Sequence, residues 1–165
     1  MTTFLFTSAH ACPLMLLMLN ACALPINAAQ SSNPNNADLY SAPEMAAIQF
    51  KQGAPLSGGS LESALHDADF YMQSLYRDVD IIKRNPQIRF EIIGFTDSSE
   101  CSTVQCESLS AYRAQIVYDW LRSKGVPSAS LKGPIGRGSA MPLDKGDTEE
   151  GRAKNRRVEI NLSPD

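Results

Sequence analysis

Three short stretches decide the fold of this chain: Gly94-Phe95-Thr96-Asp97, Leu109-Ser110-Ala111-Tyr112-Arg113-Ala114 and Gly151-Arg152-Ala153-Lys154-Asn155-Arg156-Arg157-Val158-Glu159-Ile160. The first stretch follows an alternating run at 88–93, which predicts a strand that leads into a functional loop at Gly94. The second lies on an apolar helical pattern, and the third ends in alternating Val, Ile and Leu, which predicts a half-buried strand.

Hydrophobic periodicity predicts the elements before these stretches. Ala47-Ile48-Gln49-Phe50-Lys51 alternates as a short first strand. From Ser60 onward, apolar residues recur at steps of three and four, which predicts one continuous helix that Pro86 ends. A second helix is predicted to begin at a cap formed by Ser108 or Ser110.

The second helix is predicted to run to Lys124, where Gly125 supplies a stop signal. Three further elements are expected after it: a short edge or irregular strand at 131–135, a helical turn at 148–154 and a strand at 157–162. The order of elements predicts an α+β fold, in which helices cover one sheet.

Length and charge exclude several classes of protein. A chain of 165 residues holds one domain of roughly 100–150 residues with a leader and a linker. The net charge of −3 gives no basic footprint for nucleic acid. A local basic run at Arg152, Lys154, Arg156 and Arg157 is predicted to be a solvated corner between a helix and a strand.

The first 29 residues carry no Lys, Arg, Asp or Glu, and their apolar core at 14–19 is typical of a secretory signal. That core is shorter than the about 20 apolar residues that span a bilayer. Leu19-Asn20-Ala21-Cys22 resembles a lipobox, which would lipidate Cys22. The alternative is ordinary cleavage, at Ala21-Cys22-Ala23 or near Asn27-Ala28-Ala29.

The chain therefore divides into a signal peptide at 1–22, a flexible linker at 23–44 and a folded domain at 45–165. If Cys22 is lipidated, Ala23 after it resembles the sorting signal for the outer membrane, with the domain on the periplasmic face. With ordinary cleavage the protein would be periplasmic.

Cys101 and Cys106 remain as an even pair in the folded part. In an oxidising compartment they could close a small disulfide loop, which would stabilise the fold by roughly 2 kcal/mol. The other possibility is a metal site, but His66 is the only further Cys or His in the domain, and no set of zinc ligands is formed. We predict neither metal nor cofactor.

Arg113 poses an electrostatic problem. At about 100° per residue it falls within the apolar arc of its helix, and an unpaired buried charge costs several kcal/mol. Asp97, in the loop after the preceding strand, is the natural internal anion, and a ligand carboxylate is the external one. From spacing alone, an Asp97–Arg113 salt bridge and a binding site are both open.

The three opening stretches, in this order, resemble the OmpA-like peptidoglycan-binding domain family, over residues 45–163. The resemblance implies a β-α-β-α-β-β sandwich with parallel pairing at its centre. The chain departs from the family pattern at Phe95, usually His, at Lys51, usually Asp or Asn, and at Cys106, usually Asn. We interpret the cysteine pair as a covalent brace that replaces polar loop contacts.

The resemblance also implies the residues of a binding site. In the family, the Asp and the Arg of these motifs hold the ammonium and carboxylate groups of diaminopimelate, roles that transfer to Asp97 and Arg113. Groups near Thr96 and a helix start near Leu109 would position the ligand carboxylate, since helix N-termini favour anions. Phe50 is expected to line the pocket.

The function implied is non-covalent binding of peptidoglycan, which would anchor the outer membrane or an envelope complex to the cell wall. The alternative is a protein-docking module of an envelope or secretion assembly, in which an Asp97–Arg113 salt bridge is structural. No phosphate loop or nucleophile motif indicates an enzyme. Glu100 near Asp97 only superficially suggests the paired carboxylates of a wall hydrolase.

Overall fold

The structure is a computed structural model, and it describes residues 45–164. The predicted signal peptide, the Cys22 lipid site and the linker at 23–44 lie outside the described residues. In the part that is described, no helix combines the length and the apolar character needed to cross a bilayer.

Residues 45–164 form a four-stranded sheet with helices. The elements in chain order are β1 (Ile48–Gln49), α1 (Leu61–Ala64), α2 (Ala68–Arg84), β2 (Phe90–Gly94), α3 (Thr103–Ser123), a 3-10 turn (Ser128–Ser130), β3 (Leu131–Gly136), α4 (Glu149–Asn155) and β4 (Arg157–Leu162). The strand order is β1-β4-β2-β3. Strand β4 is antiparallel to β1 and β2, and β2 is parallel to β3. The predicted fold class is confirmed. The expectation of parallel pairing at the centre of the sheet was wrong, because the central pair, β4 with β2, is antiparallel, and the parallel pair includes the edge strand β3.

The first helical region is broken, so the prediction of one helix from Ser60 to Pro86 was wrong. Leu65 adopts an extended conformation and forms an isolated bridge with Phe50. Asp67 then caps a new helix, because its Oδ1 accepts a hydrogen bond from the N–H of Phe70 at 3.0 Å. The break lets the chain pair with the end of β1 before α2 begins.

Helix α3 begins about two turns earlier than predicted. Its cap is Ser102, not Ser108 or Ser110, and Oε1 of Gln105 accepts hydrogen bonds from both the N–H and the hydroxyl of Ser102. Leu109 therefore lies inside the helix, and the expectation that it marks a helix N-terminus was wrong.

Helix α3 packs with its backbone directly against the sheet. A Cβ on Gly94 of β2 would lie 2.0 Å from the carbonyl oxygen of Ser110, and one on Gly136 of β3 would lie 2.6 Å from the N–H nitrogen of Ala111. Glycine at both positions lets the helix approach the strand ends closely. Arg113, one turn further along α3, is thereby brought beside the loop that follows β2.

Strand β3 lies at the sheet edge, as its Gly and Pro content predicted. Its register against β2 shifts between Glu91 and Ile93, opposite Gly133 and Pro134. Gly133 has a φ of 106°, a conformation that favours glycine. The irregular strand confirms the sequence interpretation of this segment.

Candidate functional site

Arg113 is fully buried, and all of its guanidinium donors are used. Nε donates to the carbonyl oxygen of Ala54 at 2.7 Å. Nη1 donates to the carbonyl of Phe95 at 3.1 Å and to Oε1 of Glu100 at 2.6 Å. Nη2 donates to the carbonyl of Lys51 at 3.2 Å and to Oε2 of Glu100 at 2.9 Å. The anion that a buried guanidinium requires is therefore Glu100.

Glu100 receives hydrogen bonds on both carboxylate oxygens, and its side chain is fully buried. Besides the two from Arg113, Oε1 accepts from the N–H of Asp97 at 3.2 Å and Oε2 from the N–H of Gly53 at 2.9 Å. Glu100 thus ties the loop after β1 to the loop after β2. Both of its oxygens are thus occupied by donors from within the chain.

The Asp97–Arg113 salt bridge, the alternative that spacing left open, does not form, because Asp97 pairs with a different arginine. Its Oδ2 accepts from Nη1 of Arg156 at 3.0 Å, and both side chains are buried. Its Oδ1 accepts from the N–H and the hydroxyl of Ser99 at 2.7 and 2.6 Å. Burial opposes ionisation, but the bonds from Ser99 and Arg156 outweigh it and hold the pKa of Asp97 below its ordinary value.

Arg156 links three parts of the site. Besides Asp97, it contacts Oε1 of Glu149 through Nη2 at 2.5 Å and the carbonyl of Phe50 through Nε at 3.3 Å. Burial lowers the pKa of Arg156, yet its bonds to the two carboxylates raise the pKa above the ordinary value overall. Its position next to β4 is a consequence of the short helix α4, which ends at Asn155.

Arg157, which directly follows Arg156, is buried as well. The Arg157 guanidinium carbon lies 3.9 Å from the centroid of the Phe95 ring, and Nε donates to Oε1 of Glu159 at 2.6 Å. Arg156 and Arg157 are each 2% exposed, so the prediction of a solvated corner was wrong for both, although it holds for the exposed Lys154. Phe95 forms a cation–π contact here.

The other predicted site residues lie at different distances from this centre. Phe50 is fully buried, with its ring centroid 5.3 Å from the Arg113 guanidinium carbon, so it supports the guanidinium from the core side. Thr96 is buried, and its hydroxyl has no hydrogen-bond partner among residues 45–164. Thr96 and Asp97 line a polar cavity of about 450 Å³. Leu109 lines a separate surface depression with Val104.

The predicted disulfide is confirmed. Cys101 and Cys106 are bonded, with 5.2 Å between their Cα atoms, so they are not a pair of metal ligands. The bond joins the loop after β2 to the first turn of α3. Cys101 directly follows Glu100, so the covalent brace fixes the chain beside the carboxylate that Arg113 holds. Within residues 45–164, no group of three or more His, Cys, Asp or Glu side chains could hold a metal ion.

Sequence reasoning missed the role of Glu100, which is the central anion of the site. The available signal was the buried position of Arg113, which requires a carboxylate, together with a second acid three residues after Asp97. Arg156 was missed because a run of basic residues resembles a solvated surface.

Comparison with known proteins finds a matching family and related chains. The OmpA family matches residues 62–156. The peptidoglycan-binding protein ArfA of Mycobacterium tuberculosis is 40% identical over 124 residues, which cover 75% of this chain and 35% of ArfA. The chain thus spans about a third of the length of this curated relative.

Solved structures share the fold. The peptidoglycan-associated lipoprotein from Burkholderia pseudomallei superimposes with a TM-score of 0.60 at 24% identity, covering 71% of this chain and 89% of that one. The C-terminal domain of Helicobacter pylori MotB superimposes with a TM-score of 0.56 at 28% identity, covering 73% of this chain and 85% of that one.

Proposed function

The chain belongs to the OmpA family, and from this premise we propose that it binds peptidoglycan non-covalently, through the free end of a diaminopimelate residue in the stem peptide. The name of the related ArfA describes a peptidoglycan-binding protein. The proposed contacts are Asp97 for the ligand ammonium group and Arg113 for the ligand carboxylate, next to Thr96 and Phe50.

One observation carries this proposal: four N–H donors converge on one carboxylate, which in the unliganded chain is that of Glu100. Beside it lies the carboxylate of Asp97, whose pKa is lowered. The donors are Nη1 and Nη2 of Arg113 and the backbone N–H groups of Gly53 and Asp97. Such a set matches the bidentate geometry that arginine offers to carboxylates. Because its pKa is low, Asp97 is ionised at neutral pH and can attract an ammonium group.

This function places the domain in the cell envelope, where the wall is accessible. We propose that it anchors the outer membrane or an envelope complex to the wall, with a lipid on Cys22 as the membrane attachment. The related structure from Burkholderia pseudomallei is named as a peptidoglycan-associated lipoprotein. Labelling of cells with a radioactive fatty acid, with Cys22→Ala as the control, tests the lipid separately.

Cosedimentation with insoluble diaminopimelate-type peptidoglycan tests the binding. We expect the wild-type chain to pellet and Asp97→Asn, which keeps the side-chain shape but removes the charge, to pellet less. The matched control is Asp119→Asn, since Asp119 is an exposed acid on α3. Circular dichroism verifies that each variant is folded. Equal pelleting of wild type and Asp97→Asn would contradict the assigned ammonium contact.

A second candidate, a docking module for an envelope or secretion assembly, is favoured by a different observation. The charges of Arg113 and Asp97 are both neutralised within the chain, by Glu100 and Arg156. A fully satisfied set of charges can serve the fold without any ligand. A folded wild-type chain that stays in the supernatant at every peptidoglycan concentration would favour this candidate.

A further inference from the structure

We propose that Glu100 is an internal ligand: it occupies the position on Arg113 that a bound carboxylate would take, and it sets the affinity of the domain for carboxylate ligands. This inference rests on the proposed function, since the external ligand is the free carboxylate of a wall amino acid. It assigns a specificity-determining role to a residue that the motifs do not include.

The position that Glu100 fills is built for a carboxylate. Each oxygen accepts two N–H donors: Oε1 from Arg113 and Asp97, and Oε2 from Arg113 and Gly53. The donors come from three separate segments of the chain, and two of them are backbone groups whose direction the fold fixes. Four convergent donors and a buried positive charge would receive any carboxylate of similar size.

No second carboxylate can join Glu100 on this guanidinium. The remaining donor capacity of Arg113 is spent on the carbonyl oxygens of Lys51, Ala54 and Phe95. An external carboxylate must therefore displace Glu100. Displacement weakens external binding, because the internal carboxylate is tethered and competes at a high effective concentration.

Glu100 is placed where it can leave. It lies in the irregular segment between β2 and α3, outside any helix or strand, and the preceding Ser98 and Ser99 are exposed. Its backbone is partly exposed while its side chain is buried, so a rotation of this turn would carry the carboxylate into solvent. The Cys101–Cys106 bond restrains the turn on one side.

Removing the Glu100 carboxylate should create a site for a small carboxylate. We would measure the thermal unfolding midpoint of the full chain in sodium acetate and in sodium chloride at equal ionic strength. For Glu100→Ala, we expect acetate to raise the midpoint by several degrees more than chloride does, because a ligand that binds the native state stabilises it. Wild type should respond equally to both salts. The matched control is Glu107→Ala, which removes an exposed glutamate near the start of α3.

A second variant keeps the test decisive if Glu100→Ala does not fold in either salt. Glu100→Gln keeps the shape but holds Arg113 through neutral hydrogen bonds, which are weaker than charged ones. Free meso-diaminopimelate, titrated calorimetrically, should therefore bind Glu100→Gln about tenfold more tightly than wild type. The inference is overturned if Glu100→Ala folds and is stabilised no more by acetate than by chloride. If Glu100→Ala does not fold, the inference is overturned if Glu100→Gln binds meso-diaminopimelate no more tightly than wild type does.

Cosedimentation separates this inference from the proposed function. If wild type pellets with peptidoglycan and Glu100→Ala ignores acetate, the function stands and the internal-ligand role falls. If Glu100→Ala takes acetate but none of the variants pellets, the carboxylate site stands and wall binding falls. If both are correct, Glu100→Ala or Glu100→Gln pellets at a lower peptidoglycan concentration than wild type.

Discussion

Nη1 of Arg156 lies 3.0 Å from Oδ2 of Asp97, and this ion pair is almost completely shielded from water. It joins the residue that precedes β4 to the loop that follows β2, two strands that also pair directly. The same guanidinium reaches Glu149 at the start of α4. The pair therefore connects the loop that carries Asp97 to the start of α4 and to the chain that enters β4.

Replacement of Arg156 by Ala should destabilise the domain by about 3–5 kcal/mol, because it leaves a buried carboxylate without its counter-charge. Urea denaturation followed by circular dichroism measures this loss. Arg152→Ala is the matched control: Arg152 lies in the adjoining helix α4, pairs with Asp147 and Glu149, and its side chain is 27% exposed. That control should lose less than about 1 kcal/mol. Similar losses for both variants would refute the structural role of the buried pair.

Asp97 should contribute to acid denaturation. Burial opposes its ionisation, but the hydrogen bonds from Ser99 and Arg156 lower its pKa in the folded state below the ordinary value of 3.8. The folded state therefore binds fewer protons than the unfolded state in acid, and this contribution to stability is present above pH 3.8. It is lost as the pH falls through the folded pKa. As the pH is lowered from 5, the unfolding free energy of Asp97→Asn, measured by urea titration, should fall less than that of wild type. An identical dependence of the unfolding free energy on pH in both proteins would contradict the assignment.

Asp78 should give the folded state a pH dependence of stability opposite to that from Asp97. Burial raises its pKa from 3.8 to about 6, and the nearby Arg77 offsets this only in part. Its Oδ2 has no hydrogen-bond partner among the described residues. The folded state therefore binds more protons between pH 3.8 and about 6, so stability falls as the pH rises through that window.

The shift at Asp78 amounts to a loss of up to roughly 3 kcal/mol, at about 1.4 kcal/mol per pKa unit. Asp78→Asn should flatten the stability profile between pH 4.5 and 7, whereas Asp80→Asn, an exposed neighbour on α2, should leave it unchanged. Denaturant midpoints at several pH values provide the measurement. A profile of Asp78→Asn that parallels wild type would show that this carboxyl is not the source.

The disulfide should stabilise the folded state by about 2 kcal/mol, the loop-entropy contribution for a short ring. The double variant Cys101→Ser/Cys106→Ser should show this loss in urea denaturation. Because Cys101 adjoins Glu100, the backbone amide hydrogens of residues 98–102 should also exchange with deuterium faster in this variant than in wild type. Unchanged exchange in this turn would mean that the disulfide does not restrain Glu100.

The sequence was sufficient for most of the architecture. Alternating runs identified β2 and β4, Gly and Pro identified the irregular edge strand, and an even cysteine pair identified the disulfide. Periodicity failed between α1 and α2, because Leu65 continues the apolar spacing while Asp67 caps a new helix. A local capping bond thus overrode a regional pattern.

The pairing of charges could not be predicted from sequence distance. Asp97 and Glu100 lie in one loop, and either could have reached Arg113. The choice depends on Arg156, which is distant from Asp97 in the chain and pairs with it. Long-range strand pairing decides which arginine meets which carboxylate, and spacing within a motif carries no information about it.

Gly94→Ala should destabilise the domain strongly, because the added Cβ would lie 2.0 Å from the Ser110 carbonyl oxygen, which belongs to the backbone and cannot rotate away. Overpacking usually costs about 1–3 kcal/mol, and a contact with backbone should cost about 3 kcal/mol or more. Gly59→Ala is the control, since Gly59 is exposed and an added Cβ would lie 3.1 Å from its nearest neighbour, the carbonyl oxygen of Leu56 in the same loop. This variant should change the unfolding free energy by less than about 1 kcal/mol. In Gly94→Ala molecules that do fold, α3 must move away from β2 and take Arg113 with it. This variant should therefore also pellet less with peptidoglycan. A stable Gly94→Ala would mean that the close approach of β2 and α3 does not hold Arg113 in place.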